Sequence, residues 1–242
     1  MNQLKNFLQG FNNFNLIDIG TGVGNFISII TSLTSDYSKI TGIDTSERMI
    51  AVASKNFSDN DRIQFKVMDA NHLDVDSESF DIVSLSNSLH HLSDISKTIS
   101  EMERVVKCNG VILIHEMISD HLNELQISHR LLHHFAAEVD RELGMVHGET
   151  YTRDEIVDLL KKYSNFELLS YWPMDQGDTP EVTEEDLQGL IQLVDRVVMR
   201  VQDSPRFEYY KSKAEEIKKY ILEHGYEGCT QMMYVLKKQP QN

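Results

Sequence analysis

Apolar and polar positions follow two different periods in the first half of the chain. Short apolar runs, typical of strands buried on both faces, alternate with helical stretches of roughly ten to fifteen residues. The runs predicted as strands lie at 14–20, 39–44, 62–69, 80–87 and 110–117. Because parallel neighbours need crossover connections, this alternation predicts a parallel sheet covered on both faces. The fold class is therefore α/β, doubly wound.

The alternation ends after the fifth strand, where residues 118–147 form one long helical pattern. A second helix follows at 152–163, and Thr152 is spaced to open it with a capping box. A sixth strand is predicted at 166–172, and Pro173 is expected to end it.

A polar loop separates the sixth strand from two further helices. Thr183 and Asp186 are spaced as the capping box of the first helix, and the second is predicted to begin at Ser204 with Pro205 in its first turn. An alternating run at 229–238 is predicted as the seventh strand.

The chain is predicted to be a single domain over 1–242, with helical insertions at about 118–150 and 177–227. No apolar run approaches the roughly 18 residues that a membrane span needs, so no membrane partner is expected. The N-terminus lacks the features of a signal peptide, and two cysteines are too few for a disulfide framework. We therefore expect a cytoplasmic protein.

The formal net charge is −15, from 23 basic and 38 acidic side chains. Such a surface repels phosphate backbones, because nucleic-acid affinity comes largely from Lys and Arg that displace counterions. No nucleic-acid partner is therefore expected, whereas a small or cationic ligand is compatible with the charge.

A glycine-rich loop, IDIGTGVGN, follows the first predicted strand. Gly20, Gly22 and Gly24 stand at the entrance to a helix, where glycine lets the backbone turn tightly and approach a ligand. Asp44 ends the second strand, from which a carboxylate accepts the ribose hydroxyls of a nucleoside. Asp18 precedes the loop and suits an ammonium or sulfonium ligand better than a pyrophosphate. Together with the G-x-G-x-G spacing, this favours S-adenosylmethionine over NAD.

At this point the sequence resembles the class I S-adenosylmethionine-dependent methyltransferases. SLHHL after the fourth strand is similar to the subgroup that contains ubiquinone- and menaquinone-pathway enzymes. The resemblance covers about 14–117 and the closing strands, through the segments IDIGTGVGNF, GIDTSERMIAVA, VMDANHL, FDIVSLSNSLHHLSD and MERVVKCNGVILIHEM. It implies a seven-stranded, mostly parallel sheet in the order 3-2-1-4-5-7-6 with the last strand antiparallel, here extended by helical lid insertions.

The resemblance also implies which residues bind the cofactor. From the methionine end to the adenine end, they are Asp18, Gly20, Thr21, Gly22, Gly24, Asn87, Ser88, Asp44, Thr45, Met49, Asp69 and Ala70. Two of them have simpler interpretations: Asp69 as a turn residue and Asn87 as a strand-end cap. The implied activity is methyl transfer to an oxygen, nitrogen or sulfur atom of a small-molecule acceptor.

Methyl transfer requires an oriented acceptor and exclusion of water, and it needs a base only if the acceptor arrives protonated. Candidate groups follow the fourth strand, at His90 and His91, and end the fifth, at His115 and Glu116. His91 and Glu116 are carried forward as catalytic candidates. Simple packing of the histidines and a capping role for the carboxylate are the alternatives.

The helix predicted from about 120 to 144 leaves the fifth strand, and we expect it to cover the acceptor site as a lid. At 100° per residue its apolar stripe, expected to face the core, consists of Leu125, Leu132, Phe135, Val139 and Leu143. A second stripe carries His129, His133 and Asp140, while His134 is expected to face water.

The second stripe permits three interpretations. It is a polar helix flank, a catalytic or acceptor-binding face, or a site for a divalent metal to which His147 could fold back. Two alternative functions also stay open for the whole chain: a noncatalytic S-adenosylmethionine-binding protein and an NAD-linked oxidoreductase. The helical insertions could also form a homodimer.

Overall fold

The structure is a computed structural model that describes residues 2–174 and 182–238. Its strands are β1 Phe14–Ile19, β2 Tyr37–Asp44, β3 Ile63–Val67, β4 Phe80–Ser86, β5 Val106–Met117, β6 Glu167–Met174 and β7 Gln231–Lys237. They form one sheet in the order β3-β2-β1-β4-β5-β7-β6. Neighbours from β3 to β5 pair in parallel, and β6 pairs antiparallel with β7. The predicted fold class and strand order are confirmed.

The helices are α1 Asn2–Leu8, α2 Asn25–Leu33, α3 Glu47–Asn56, α4 Ile95–Val105, α5 Glu124–Glu142, α6 Arg153–Tyr163, α7 Glu184–Met199 and α8 Phe207–His224. A short 3₁₀ turn, Leu89–His91, follows β4. Among the described residues, every helix is too short or too polar to cross a bilayer.

The described chain forms two compact units. The sheet unit comprises residues 2–116, 154–174 and 231–238, and the helical unit comprises 117–153 and 182–230. The interpretation of the chain as one domain with two helical insertions stays a prediction. Most of the polar loop predicted after the sixth strand, at 175–181, lies outside the described residues.

The core of the sheet unit is built from strand residues that are apolar on both faces. Leu16, Ile17 and Ile19 of β1 are completely buried, as expected for a central strand with helices on either side. Leu4 and Leu8 of α1 join one face of this core. The rigid centre of the sheet therefore holds fixed the residues that follow β1, β2 and β4.

The helical unit has its own core, made by α5, α7 and α8. Leu132, Phe135 and Val139 of α5 are buried in it, which confirms the middle of the predicted apolar stripe. The prediction is wrong for the two ends of that stripe, because Leu125 and Leu143 are 41% and 46% exposed and do not face the core. They lie in the first turn and at the C-cap of the helix, whose contacts with this core are made by its middle turns.

Two predicted helix starts have different outcomes. The capping box of α7 is confirmed, since the Thr183 hydroxyl accepts the Asp186 N–H and the Asp186 carboxylate accepts the Thr183 N–H. Helix α8 begins at Phe207 and not at Ser204. Ser204 is instead in a turn, where its hydroxyl accepts the Arg206 N–H.

Candidate functional site

The glycine loop after β1 adopts left-handed backbone conformations at its three glycines. The φ angles are +65° at Gly20, +54° at Gly22 and +91° at Gly24, a region that side chains with a Cβ rarely adopt. A Cβ at Gly20 would lie 2.5 Å from Ser88 Oγ, and one at Gly24 would lie 2.6 Å from the Phe57 ring. A Cβ at Gly22 would meet nothing within 4 Å. Gly22 is therefore where the loop backbone is open to a ligand.

Asp44, at the end of β2, ties this loop to the neighbouring strand. Its Oδ2 accepts the Gly22 N–H at 3.0 Å, and its Oδ1 accepts the Ser46 N–H at 2.8 Å. The Thr21 N–H donates to the Ile43 carbonyl at 2.8 Å. These bonds hold the carboxylate beside the open part of the loop, and ribose binding by Asp44 stays a prediction.

Asp18 lies within β1 and is 1% exposed. Its Oδ1 accepts a hydrogen bond of 2.7 Å from the hydroxyl of Ser84 on β4, a partner that the sequence analysis did not single out. Burial raises the pKa of Asp18 to about 6, against the lowering effect of the Ser84 hydrogen bond. The Thr21 side chain also lowers this pKa through a hydrogen bond.

The segment after β4 closes the other side of the loop. The Ser88 hydroxyl lies 3.1 Å from the Gly20 carbonyl oxygen and 2.9 Å from that of Ser86, and these two acceptors share its single O–H donor. Asn87 is exposed and left-handed at φ +46°, and its N–H donates to the His115 carbonyl. Both residues therefore lie at the carboxyl ends of the central strands, next to the glycine loop.

The predicted adenine-side residues follow β2 and β3. Thr45 is exposed, and Met49 is half-buried in the first turn of α3. Asp69 is exposed and its side chain accepts the Asn71 N–H at 2.9 Å, while Ala70 is half-buried. The Asp69 bond is the turn interaction that the simpler interpretation requires, so adenine recognition by Asp69 stays a prediction.

Glu116, at the end of β5, is completely buried and holds the 3₁₀ turn after β4. Its Oε2 accepts the Leu89 N–H at 2.9 Å, and its Oε1 lies 3.1 Å from His90 Nδ1. His91 is exposed, with its ring centre 4.3 Å from that of His90. The structure therefore pairs the predicted carboxylate with His90, whereas a catalytic role for His91 stays a prediction.

His115 is buried between strand and helix. Its ring stacks on Phe26 with centres 5.3 Å apart, and its Nδ1 lies 2.9 Å from Ser86 Oγ. Burial lowers the pKa of His115 to about 4. The imidazole is therefore neutral near pH 7.

In the helical unit, the end of α5 is closed by a left-handed glycine. Gly144 has φ +79°, its N–H donates to the Arg141 carbonyl, and the Met145 N–H donates to the Asp140 carbonyl. This pair of bonds is a Schellman motif, which reverses the chain after a helix. As a result His147 returns to the last turn of α5, as the sequence analysis considered.

The second stripe of α5 is thereby assembled into a cluster. His147 Nδ1 lies 2.6 Å from Asp140 Oδ2, and Arg200 donates to Asp140 Oδ1 at 2.5 Å. The ring centre of His133 lies 5.1 Å from that of His147 and 6.3 Å from that of His129. No sequence signal indicated Arg200, because it lies in a different insertion from Asp140.

Two histidines of α5 have other contacts. His129 Nδ1 accepts the Cys229 N–H at 2.8 Å, which ties α5 to the segment before β7. His134 does not simply face water as predicted, because its Nε2 lies 2.8 Å from Thr150 Oγ1 and its side chain is only 22% exposed. The catalytic role of His129 stays a prediction.

Comparisons with known proteins find sequence similarity within the sheet unit. A family model described as a methyltransferase domain matches residues 17–114. Demethylmenaquinone methyltransferase of Thermotoga maritima is 29% identical over 103 residues, which are 43% of this chain and 43% of that protein. The uncharacterized methyltransferase YcgJ of Bacillus subtilis is 29% identical over 101 residues, 41% of this chain and 39% of the relative. The matched segment thus spans less than half of these relatives' length.

Solved structures extend the similarity in fold to nearly the whole chain. The YcgJ structure superposes with a TM-score of 0.62 at 15% identity, covering 98% of this chain and 97% of the other. A phosphoethanolamine N-methyltransferase of Haemonchus contortus, solved with S-adenosylhomocysteine, gives 0.57 at 20% identity and covers 98% of this chain and 52% of the other. The sequence of residues 17–114 is therefore similar to a methyltransferase domain, and the described structure has the strand order and fold of solved methyltransferases.

Proposed function

We propose that the protein transfers a methyl group from S-adenosylmethionine to an oxygen, nitrogen or sulfur atom of a small-molecule acceptor by in-line displacement. The observation that carries this proposal is the pairing of the open Gly22 backbone with the Asp44 carboxylate at 3.0 Å. Loop and carboxylate lie at the carboxyl ends of parallel strands, where doubly wound sheets bind their ligands.

The residues at this edge fit the proposed cofactor. Each Asp44 oxygen accepts one backbone N–H, so each keeps acceptor capacity for a ribose hydroxyl. Asp18 offers a buried carboxylate at the start of the glycine loop, and a cationic group nearby would stabilise its charged form. We propose that the cofactor-binding set is the one that the family resemblance implies.

Bound S-adenosylmethionine supplies an electrophilic methyl group, so this chain's residues have to orient the acceptor, exclude water and take up any proton it releases. Glu116 and His90 are suited to the last task. If His90 Nδ1 donates to Glu116 Oε1, the basic nitrogen is Nε2. We place the proton-accepting role on His90 and the orienting role on Glu116.

Calorimetry tests the cofactor proposal. We expect binding of S-adenosylmethionine and S-adenosylhomocysteine in the micromolar range, lost or weakened at least tenfold in Asp44→Asn. The matched control is Asp59→Asn, which changes an exposed aspartate of the same unit and should bind normally. The proposal fails if the unmodified protein binds neither compound, and binding of NADH instead would support the oxidoreductase alternative.

Turnover is tested separately, by following S-adenosylhomocysteine release with a panel of small hydroxyl, amine and thiol acceptors. We expect at least one acceptor to be methylated. We expect His90→Gln to lower kcat more than KM and to alter the pH profile, whereas Lys55→Gln on exposed α3 surface should do neither. Cofactor binding without turnover on any acceptor would support the noncatalytic binding protein. A cytoplasmic location and a homodimer stay predictions, and sedimentation velocity checks the second.

A further inference from the structure

The cluster in the helical unit has a geometry that the methyl-transfer proposal does not use. His133 lies on α5, and His147 returns to the same helix through the turn at Gly144. The two ring centres are 5.1 Å apart and the ring planes are nearly perpendicular, at 86°. The distance between these ring centres can therefore be compared with the distance expected for two imidazoles bound to one metal ion.

The spacing agrees with two ligands of one ion. An imidazole bound to zinc at about 2.1 Å has its ring centre about 3.2 Å from the metal, so two such rings at a tetrahedral angle have centres about 5.2 Å apart. Edge-to-face packing of two rings gives a similar geometry, so the position of the nitrogens is the more direct observation: one ring nitrogen of His133 and one of His147 lie within 4.8 Å of each other. The observed spacing is within about 0.1 Å of the coordination value.

Asp140 supplies the outer shell that metal-binding histidines usually have. With its Nδ1–H donated to Asp140 Oδ2 at 2.6 Å, His147 presents Nε2 as the nitrogen with a lone pair. Arg200 binds the other carboxylate oxygen. Both oxygens of Asp140 are thus engaged, so Asp140 orients His147 and is not itself a ligand.

The surroundings of the two imidazoles are also suitable for metal binding. His147 is 8% exposed, and the core of the helical unit supports α5 through Phe135 and Val139. The turn at Gly144 is secured by the hydrogen bond from Arg141 to the His147 carbonyl at 2.8 Å. The two imidazoles are therefore held in place by the fold before any ion binds, which lowers the ordering cost of binding.

We propose that His133 and His147 ligate a divalent first-row transition metal, such as Zn²⁺ or Co²⁺, with Asp140 as the positioning residue. Neutral imidazole is a preferred ligand of these ions. Two protein ligands leave further coordination positions, which water, an acceptor or another side chain of the chain can fill. His133, His147 and Asp140 all belong to the helical unit.

Cobalt titration of the untagged protein tests the proposal. Co²⁺ alone is added to the full chain, and its visible absorption reports imidazole ligands, with Zn²⁺ competition and elemental analysis as second measurements. We expect one strong equivalent, lost in the His133→Ala/His147→Ala double variant. The double variant is required because the chain has ten histidines, and any of them could bind cobalt weakly.

Single variants then assign the roles. Asp140→Asn should weaken binding about 10- to 100-fold, the effect of losing an outer-shell carboxylate. His134→Ala removes a neighbouring histidine bound to Thr150, and this variant should bind cobalt normally. Each remaining histidine, substituted in turn, would reveal a third ligand from the chain.

The outcomes are distinct. Absence of a strong equivalent, or an unchanged one in the double variant, overturns the site. Loss in the double variant with no effect of Asp140→Asn overturns the positioning role alone. Far-UV circular dichroism and S-adenosylmethionine binding of each variant show that lost metal binding is not caused by unfolding.

Discussion

The glycine loop of the sheet unit and the histidine cluster of the helical unit are built in different ways. In the loop, the proposed cofactor binding depends on backbone conformations at Gly20, Gly22 and Gly24, each specified by the residue at that position. In the cluster, the proposed metal binding depends on side chains from α5, from the turn after it and from the C-cap of α7, which only the folded unit brings together. A local signal therefore reveals the first site, whereas the second becomes visible only in three dimensions.

The largest effect should come from Gly20→Ala. The new Cβ would require left-handed backbone strain and a shift of Ser88, whose Oγ would lie 2.5 Å away. We expect the free energy of unfolding to fall by about 3 kcal/mol, measured by urea denaturation. Gly22→Ala is the matched control, because its Cβ meets no atom within 4 Å; we expect a stability loss of only about 1 kcal/mol but a clear loss of cofactor affinity.

Equal stability losses in the two glycine variants would show that close packing does not decide the loop conformation. A Gly22→Ala variant that binds the cofactor normally would show that the open backbone is not the ligand surface. Either result would contradict the contrast drawn above, in which single residues specify the glycine loop whereas folding assembles the histidine cluster.

The next effect concerns the buried carboxylate of Asp18. Because its folded pKa of about 6 lies above the ordinary 3.8, the folded state binds the proton more tightly and loses stability as pH rises through this range. Asp18→Asn should therefore raise the free energy of unfolding at pH 7, by about 1–3 kcal/mol, and weaken cofactor binding. Thermal unfolding and calorimetry at pH 7 check the two effects, and unchanged stability would contradict the desolvation of Asp18.

His115 should act in the opposite direction over nearly the same pH range. Its folded pKa of about 4 lies below the ordinary 6.5, so the unfolded state binds the proton more tightly and stability is lost as pH falls from 6.5 to 4. In His115→Gln we expect the acid slope to become smaller by up to about 1.4 kcal/mol per pH unit. In Asp18→Asn the slope should become steeper, and urea denaturation between pH 4 and 7 compares the three proteins.

The smallest effect is expected in the helical unit, at Gly144→Ala. The Cβ would meet no atom within 4 Å, so only the left-handed φ of +79° is penalised. We expect a loss of about 1 kcal/mol, seen as faster hydrogen exchange in 140–147. A loss larger than that of Gly20→Ala would mean that the turn after α5, and not the loop after β1, has the stricter backbone requirement.

The sequence predicted the sheet well because its signals are local and repeated. Every predicted strand exists, and the glycine loop lies where its spacing indicates, since apolar runs and glycines act within a few residues. Helix ends were less predictable. The pattern cannot show that Leu125 and Leu143 lie outside the packed middle of α5, or that the turn around Ser204 delays α8 to Phe207.

The candidate residues show the same limit. Spacing placed His133 and Asp140 on one face of α5, but it could not show that His147 pairs with Asp140 or that Arg200 arrives from α7. Nor could it distinguish His90 from His91, because adjacent residues have the same sequence context and only burial beside Glu116 separates them. Pairing over long sequence distances is a property of the fold.

The last consequence concerns Pro173. The residue type predicts that it ends the sixth strand, yet β6 continues through it to Met174. This is possible because β6 is at the edge of the sheet, where a missing N–H breaks no ladder. Leu169 and Tyr171 on the same strand are 47% and 46% exposed, so the edge would otherwise invite another chain to pair with it. Because proline cannot donate to a neighbouring strand, Pro173 is expected to make β6 a poorer template for intermolecular strand addition.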